Sequence, residues 1–204
     1  MYSYRVPKIL QKTYPSLLWS YSRRSKKVYL TFDDGPNPHT TPQLLDLLKQ
    51  YDVKATFFCV GENVEKYPTL YQRILDEGHV VGNHSFNHLN GFKTNSKHYY
   101  NNVLKASELI DSKLYRPPYG KVKRTQISKL KKNYKVVMWS LLIGDWDPSH
   151  TKEQCFFVLK NRLKGGDIIV LHDSEKAYER MMFTVEKGIE WAREKGFDLD
   201  VIRS

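Results

Sequence analysis

Two carboxylates, Asp33 and Asp34, stand side by side in "YLTFDDGP", where an apolar run breaks into a turn. Adjacent like charges repel, and burial makes each anion costlier. A cation nearby removes both difficulties, and the chain supplies parts to hold one. His84 and His88 lie four residues apart in "HSFNH". Arg116 precedes two prolines in "RPPYG". Asp145 and Trp146 close "LIGDW", and His172 and Asp173 sit in "LHDS". Two imidazoles and one carboxylate can hold zinc with a position open to water or substrate. One aspartate would ligate. The other would stay free beside the metal-bound water, which titrates near ~7, and take its proton. Arg116 could pair with the free aspartate, and His172 could give a proton to a leaving group. With the metal polarising a carbonyl and a backbone N–H holding the oxyanion, the set describes a hydrolase for an acyl group.

Each residue taken singly has an ordinary explanation. Asp34 before Gly35-Pro36 suits a turn. Two histidines four apart arise often without a metal. Asp145 and Asp173 could cap helices. The case rests on where the elements put them together. Apolar runs at 27–32, 54–60, 79–83, 113–116, 135–142, 167–172 and 197–202 read as strands. Helical patterns at 41–51, 64–78, 97–111, 123–133, 152–164 and 177–195 separate them. In the first of these Thr41 is placed to cap, Pro42 suits the first turn, and Leu44, Leu45, Leu47, Leu48 and Tyr51 form one face. Such alternation predicts an α/β fold with a mainly parallel sheet. In a parallel β/α barrel the C-terminal strand ends share one rim, where active sites are built. Five strand ends in this chain each deliver a polar or ionisable group to that rim.

Composition sets the frame. The chain has 204 residues, 40 % hydrophobic and 13 % aromatic, which suits one globular domain. We read residues 1–27 as a lead-in helix with a basic connector, and 28–204 as one catalytic domain. The net charge of +11 comes from 33 basic against 22 acidic residues, widely spread, and reads as a solvated surface. Cys59 and Cys155 read as buried thiols, not a disulfide framework or metal cluster. No apolar core typical of an export signal appears near the start, and no stretch approaches ~20 apolar residues, so no membrane span is expected. The location is left open: the sequence as given shows no export signal and reads as cytoplasmic, and a cell-envelope or secreted role fits as well.

The series "TFDDGP", "HSFNH", "RPPYG", "GDW" and "LHDS", in that order, resembles the motifs of the polysaccharide deacetylases, the NodB-homology carbohydrate esterases. The resemblance runs from Val28 to Ile202. It implies a distorted (β/α) barrel of about seven parallel strands. It implies Asp33 as general base, Asp34, His84 and His88 as metal ligands, and Arg116 as the group orienting Asp33. Tyr119 would offer its backbone N–H to the oxyanion. His172 would be the general acid, tuned by Asp145, and Trp146 with Leu171 would line the acetyl pocket. The implied cofactor is a divalent metal, zinc first, with cobalt, nickel or iron also suited to these ligands. The implied partner is an acetylated sugar or glycan; no specific nucleic acid is expected, and the oligomeric state is open with a monomer favoured. One departure stands out: Leu142 occupies a position where the family often has an aspartate.

Three other readings fit parts of the pattern. A relative on the same scaffold could hydrolyse a different C–N bond, in an amide or cyclic ureide. Non-haem iron held by the same ligands could support oxygenase chemistry, but that leaves Asp33, Arg116 and His172 without roles. A non-catalytic basic glycan-binding module would make the complete motif set superfluous.

Overall fold

A computed structural model describes residues 3–203. Its strands are short and all pair in parallel: β1 (Lys27–Asp33), β2 (Thr56–Cys59), β3 (Val80–Asn83), β4 (Leu114–Tyr115), β5 (Lys135–Val136), β6 (Leu141–Leu142), β7 (Ile168–His172) and β8 (Asp198–Leu199). The sheet runs β5-β4-β3-β2-β1-β7-β6, with β8 joined to the start of β1. It curls into the distorted barrel expected of alternating strands and helices.

The helices are α1 (Lys8–Thr13), α2 (Thr41–Gln50), α3 (Gly61–Lys66), α4 (Pro68–Asp76), α5 (Ser96–Ser107), α6 (Arg124–Leu130), α7 (Lys152–Arg162) and α8 (Tyr178–Glu194). None is long and apolar enough to cross a membrane. The outer core lies between strands and helices: Val28, Leu30 and Phe32 of β1 pack with Leu44, Leu45 and Leu48 of α2 and with Met181, Val185 and Ile189 of α8. These three leucines of α2 are fully buried, each worth about 1.5–3 kcal/mol relative to exposure. A smaller cluster around Tyr29, Phe58, Leu114 and Ile168 fills the inside. Cys59 and Cys155 are free and buried, as their apolar surroundings predict.

Four differences from the sequence reading have physical causes. The helix expected over 64–78 is two helices, broken at Tyr67 because the residue before Pro68 is driven out of the helical region. The strand expected over 135–142 splits into β5 and β6. Residues between them pair instead with the N-terminal segment, where the Leu18 N–H donates to Val136 O and the Met138 N–H donates to Leu18 O. Thr41 is not the cap of α2. It is the first helical residue, and its hydroxyl donates to Asp173 while accepting from the Asn37 N–H.

The fourth difference concerns the lead-in. Residues beyond α1 are no mere connector: Leu17 and Trp19 are buried among Tyr99, Val103, Ile127 and Val136. Arg5 bridges to Leu141, Leu18 to Val137 and Ser20 to Asp167, so this segment fills the gap between the two ends of the sheet. Asp167, fully buried, fastens it. Its carboxylate takes hydrogen bonds from Arg5, Arg23, the Ser140 hydroxyl and the Lys164 N–H.

Candidate active site

Register decides which residues meet. Asp33 pairs with His172 across β1 and β7, and Asn83 pairs with Tyr115 across β3 and β4. The residues that follow, Asp34, His84 and Arg116, therefore emerge at the same end of the barrel. With His88, Tyr119, Trp139, Leu142, Trp146, Val170, His172 and Lys176 they surround a cavity of about 300 Å³, although Arg116 lies beneath its floor.

The floor is an ion pair. Arg116 is completely buried, yet each terminal nitrogen is used: Nη1 donates to Asp33 Oδ1 at 2.7 Å and to the Thr31 hydroxyl at 2.7 Å, and Nη2 donates to Met138 O at 2.9 Å. Its guanidinium lies 4.1 Å from the centre of the Phe58 ring. Asp33 Oδ2 is left facing the histidines, 3.9 Å from His84 Nε2.

Next to Asp33 lies the metal-type set. One ligand atom from each of Asp34, His84 and His88 falls within 4.8 Å of the others. His88 Nε2 is 3.1 Å and His84 Nε2 3.8 Å from Asp34 Oδ1. The donors suit a divalent cation on a second ground. His84 Nδ1 lies 2.8 Å from the Arg116 carbonyl, which can only accept, so Nδ1 carries the hydrogen and Nε2 presents its lone pair. Burial also lowers the His84 pKa to about 4 against the opposing pull of Asp33, keeping the ring neutral as ligation requires. Burial alone would raise Asp34, but the His88 hydrogen bond and the nearby imidazoles hold it well below the usual carboxylate range.

The histidine loop is set by backbone geometry that ordinary residues avoid. Asp34 (φ 79°), Ser85 (φ 64°), His88 (φ 54°) and Tyr119 (φ 60°) are all left-handed, and all lie in or beside the cavity. Strain of this kind costs about 1–3 kcal/mol per residue and persists only where surroundings impose it. Two asparagines impose it here. Asn83 accepts from the Ser85 N–H and donates to Val103 O, while Asn102 accepts from the Phe86 and Asn87 N–H groups.

His172 forms the opposite wall with Asp145. Asp145 is fully buried and spends both oxygens on one residue, Oδ1 on His172 Nδ1 at 2.9 Å and Oδ2 on the His172 N–H at 2.7 Å. Burial would lower the His172 pKa, but the charge and hydrogen bond of Asp145 outweigh it and raise it to about 9. The Trp146 ring stands edge-on, 4.9 Å from His172.

Nine of the ten residues singled out from the sequence gather here. Leu171 does not line the cavity, which corrects the expectation for it. Along β7 side chains alternate, so Val170 and His172 face inward while Leu171, paired with Phe32, is buried in the outer core. Sequence reading also missed Thr31, Trp139, Val170, Lys176, Asn83 and Asn102. Only the asparagines carried a signal, as polar residues flanking an otherwise apolar strand and helix face.

The chain is a parallel β/α barrel that carries a donor set able to hold a metal ion at its C-terminal rim. The sequence matches the polysaccharide deacetylase family over residues 20–137, and the chain belongs to that family. It is 41 % identical over 150 residues to a peptidoglycan-N-acetylglucosamine deacetylase of Bacillus cereus, covering 70 % of this chain and 54 % of that one. The chain thus spans about half the length of that relative. A second Bacillus cereus protein of the same name is 33 % identical over 187 residues, covering 88 % and 87 %. The crystal structure of the Bc1960 peptidoglycan N-acetylglucosamine deacetylase superposes with a TM-score of 0.90 at 32 % identity, covering 97 % of this chain and 95 % of that one.

Proposed function

We propose that this protein hydrolyses the acetamide of N-acetylated sugars in a polysaccharide, releasing acetate and leaving the amine. The N-acetylglucosamine of peptidoglycan is the first substrate to consider, since both Bacillus cereus relatives are named for it. The observation that carries the reading is the convergence of Asp34, His84 and His88 within 4.8 Å, beside a carboxylate that Arg116 holds in place.

Asp34, His84 and His88 would hold a divalent ion, zinc by ligand type, with cobalt, nickel or iron able to replace it. When bound, such an ion acidifies a water and polarises the acetyl carbonyl. Asp33 receives the proton of the attacking water on Oδ2, the oxygen not engaged by Arg116. The Arg116 hydrogen bond fixes the carboxylate plane. Tyr119 offers its backbone N–H to the developing oxyanion. His172, charged and aligned by Asp145, gives its Nε2 proton to the departing nitrogen as the C–N bond breaks. Trp146, Leu142 and Val170 form an apolar wall suited to a methyl group. Every group comes from one chain, so a monomer suffices.

Acetate release from a panel of acetylated oligosaccharides and small amides, with and without a chelator, tests the reading. Asp33→Asn is expected to keep its metal and lose about 10²–10⁴-fold in turnover. A near-normal rate in that variant would remove Asp33 from the role of base.

A further inference from the structure

Lys176 lines the catalytic cavity and an adjoining cleft of about 300 Å³ that also includes Glu62, Asn63, Asn87, His88 and Tyr119. The two share Asp34, His88, Tyr119 and Lys176, so the lysine stands where one opens into the other. Its neighbours there are already engaged. Asn63 donates to the Asp34 carbonyl, and Asn87 donates to Glu62 and accepts from Asn102. The Lys176 ammonium makes no hydrogen bond or ion pair among the described residues, while each carboxylate and imidazole bordering the catalytic cavity has a charged or imidazole partner.

The backbone beneath it is fixed. Lys176 sits in the 3-10 turn Glu175–Ala177, whose Ala177 is fully buried. Its carbonyl accepts from Arg180, and the same guanidinium donates through Nε to the Asp145 carbonyl at 2.7 Å. One arginine thus ties the base of this lysine to the aspartate that orients His172. The result is a flexible cationic arm on a rigid post, at the mouth of the site and without an anion of its own.

We propose that Lys176 selects for a carboxylate carried by the sugar strand in this site, next to the acetamide being cleaved. The inference rests on the deacetylase reading above and adds the charge of the preferred substrate to it. A lysine is a point charge with three rotatable donors, suited to a carboxylate whose position varies with the glycosidic torsions. The protein's net charge of +11 draws anionic polymer to the surface, and Lys176 converts that general attraction into a local choice.

The test uses two substrates: an N-acetylated glycan oligomer bearing carboxylate ethers, and the same oligomer with those carboxylates reduced to alcohols. The metal-loaded wild-type protein is expected to favour the first. Lys176→Met should shrink the ratio of the two kcat/KM values roughly fivefold, the size of one partly exposed ion pair, through KM with kcat held. Lys176→Arg should keep most of the preference. An equal loss on both substrates in Lys176→Met, or an unchanged ratio, overturns the inference. Equal wild-type rates on the two oligomers overturn it as well while leaving deacetylation intact. Absence of acetate from both removes the deacetylase reading and the inference with it.

Discussion

Arg116 and Asp33 are 83 positions apart in the chain and meet at 2.7 Å under the cavity floor, where Arg116 is wholly enclosed. Enclosing a guanidinium is costly, and the arrangement is repaid only because Thr31, Asp33 and Met138 all accept from it. Arg116→Met would strand the Asp33 carboxylate. It is expected to cost about 3–5 kcal/mol in urea unfolding and to lower acetate release as well. A variant of wild-type stability would mean that water replaces the arginine without loss.

The pH profile should report His172. Its pKa is raised from the ordinary 6.5 to about 9, so the proton needed by a leaving nitrogen is held below that pH and lost as pH rises through it. The same pairing stabilises the fold fully below 6.5 and ceases to do so as pH climbs through about 9. In the metal-loaded protein the cation offsets the part owed to Asp33 and Asp34, which moves the basic limb below that value. Asp145→Asn removes the charge that outweighs burial. Its limb in kcat is expected to move toward acid by about one pH unit or more. An unmoved limb would assign it to another group.

Chelation should act on two observables. A divalent ion held by Asp34, His84 and His88 binds the native fold alone, so its removal is expected to abolish acetate release and lower the thermal midpoint together. Zinc or cobalt should restore both in the wild type. In His84→Ala neither ion should do so at concentrations that suffice for the wild type, as read by metal content after dialysis. Activity that survives exhaustive chelation would dismiss the metal.

Asp167 predicts where the chain loosens. Asp167→Ala deprives Arg5, Arg23, Ser140 and Lys164 of one acceptor at once. A loss of about 3–5 kcal/mol is expected, with hydrogen exchange rising first in residues 5–23. Uniform acceleration across the barrel would show instead that the segment is no separate unit.

Much of the site was legible because its residues are rare types at strand ends. Asp33, Asp34, His84, His88, Arg116 and His172 interrupt apolar runs, and parallel strands bring those interruptions to one rim. Leu171 was misread for a related reason. The run "IIVLH" is apolar on both faces, so its pattern does not say which residues look inward. The pairing of Leu18 with Val137 was invisible because it joins segments over a hundred residues apart with no local signature. Lys176 looked like any surface lysine, since an unpartnered charge is a property of its surroundings and not of the sequence near it.

The segment that fills the gap in the sheet also sets an order of events during synthesis. Leu17 and Trp19 leave the ribosome before their partners: the strands flanking them, at Val136 and Leu141, and the buried anion at Asp167 follow more than a hundred residues later. Until then these apolar side chains lack their native cover. Closure of the barrel is accordingly a long-range step that waits on the hundred-odd residues synthesised between these partners.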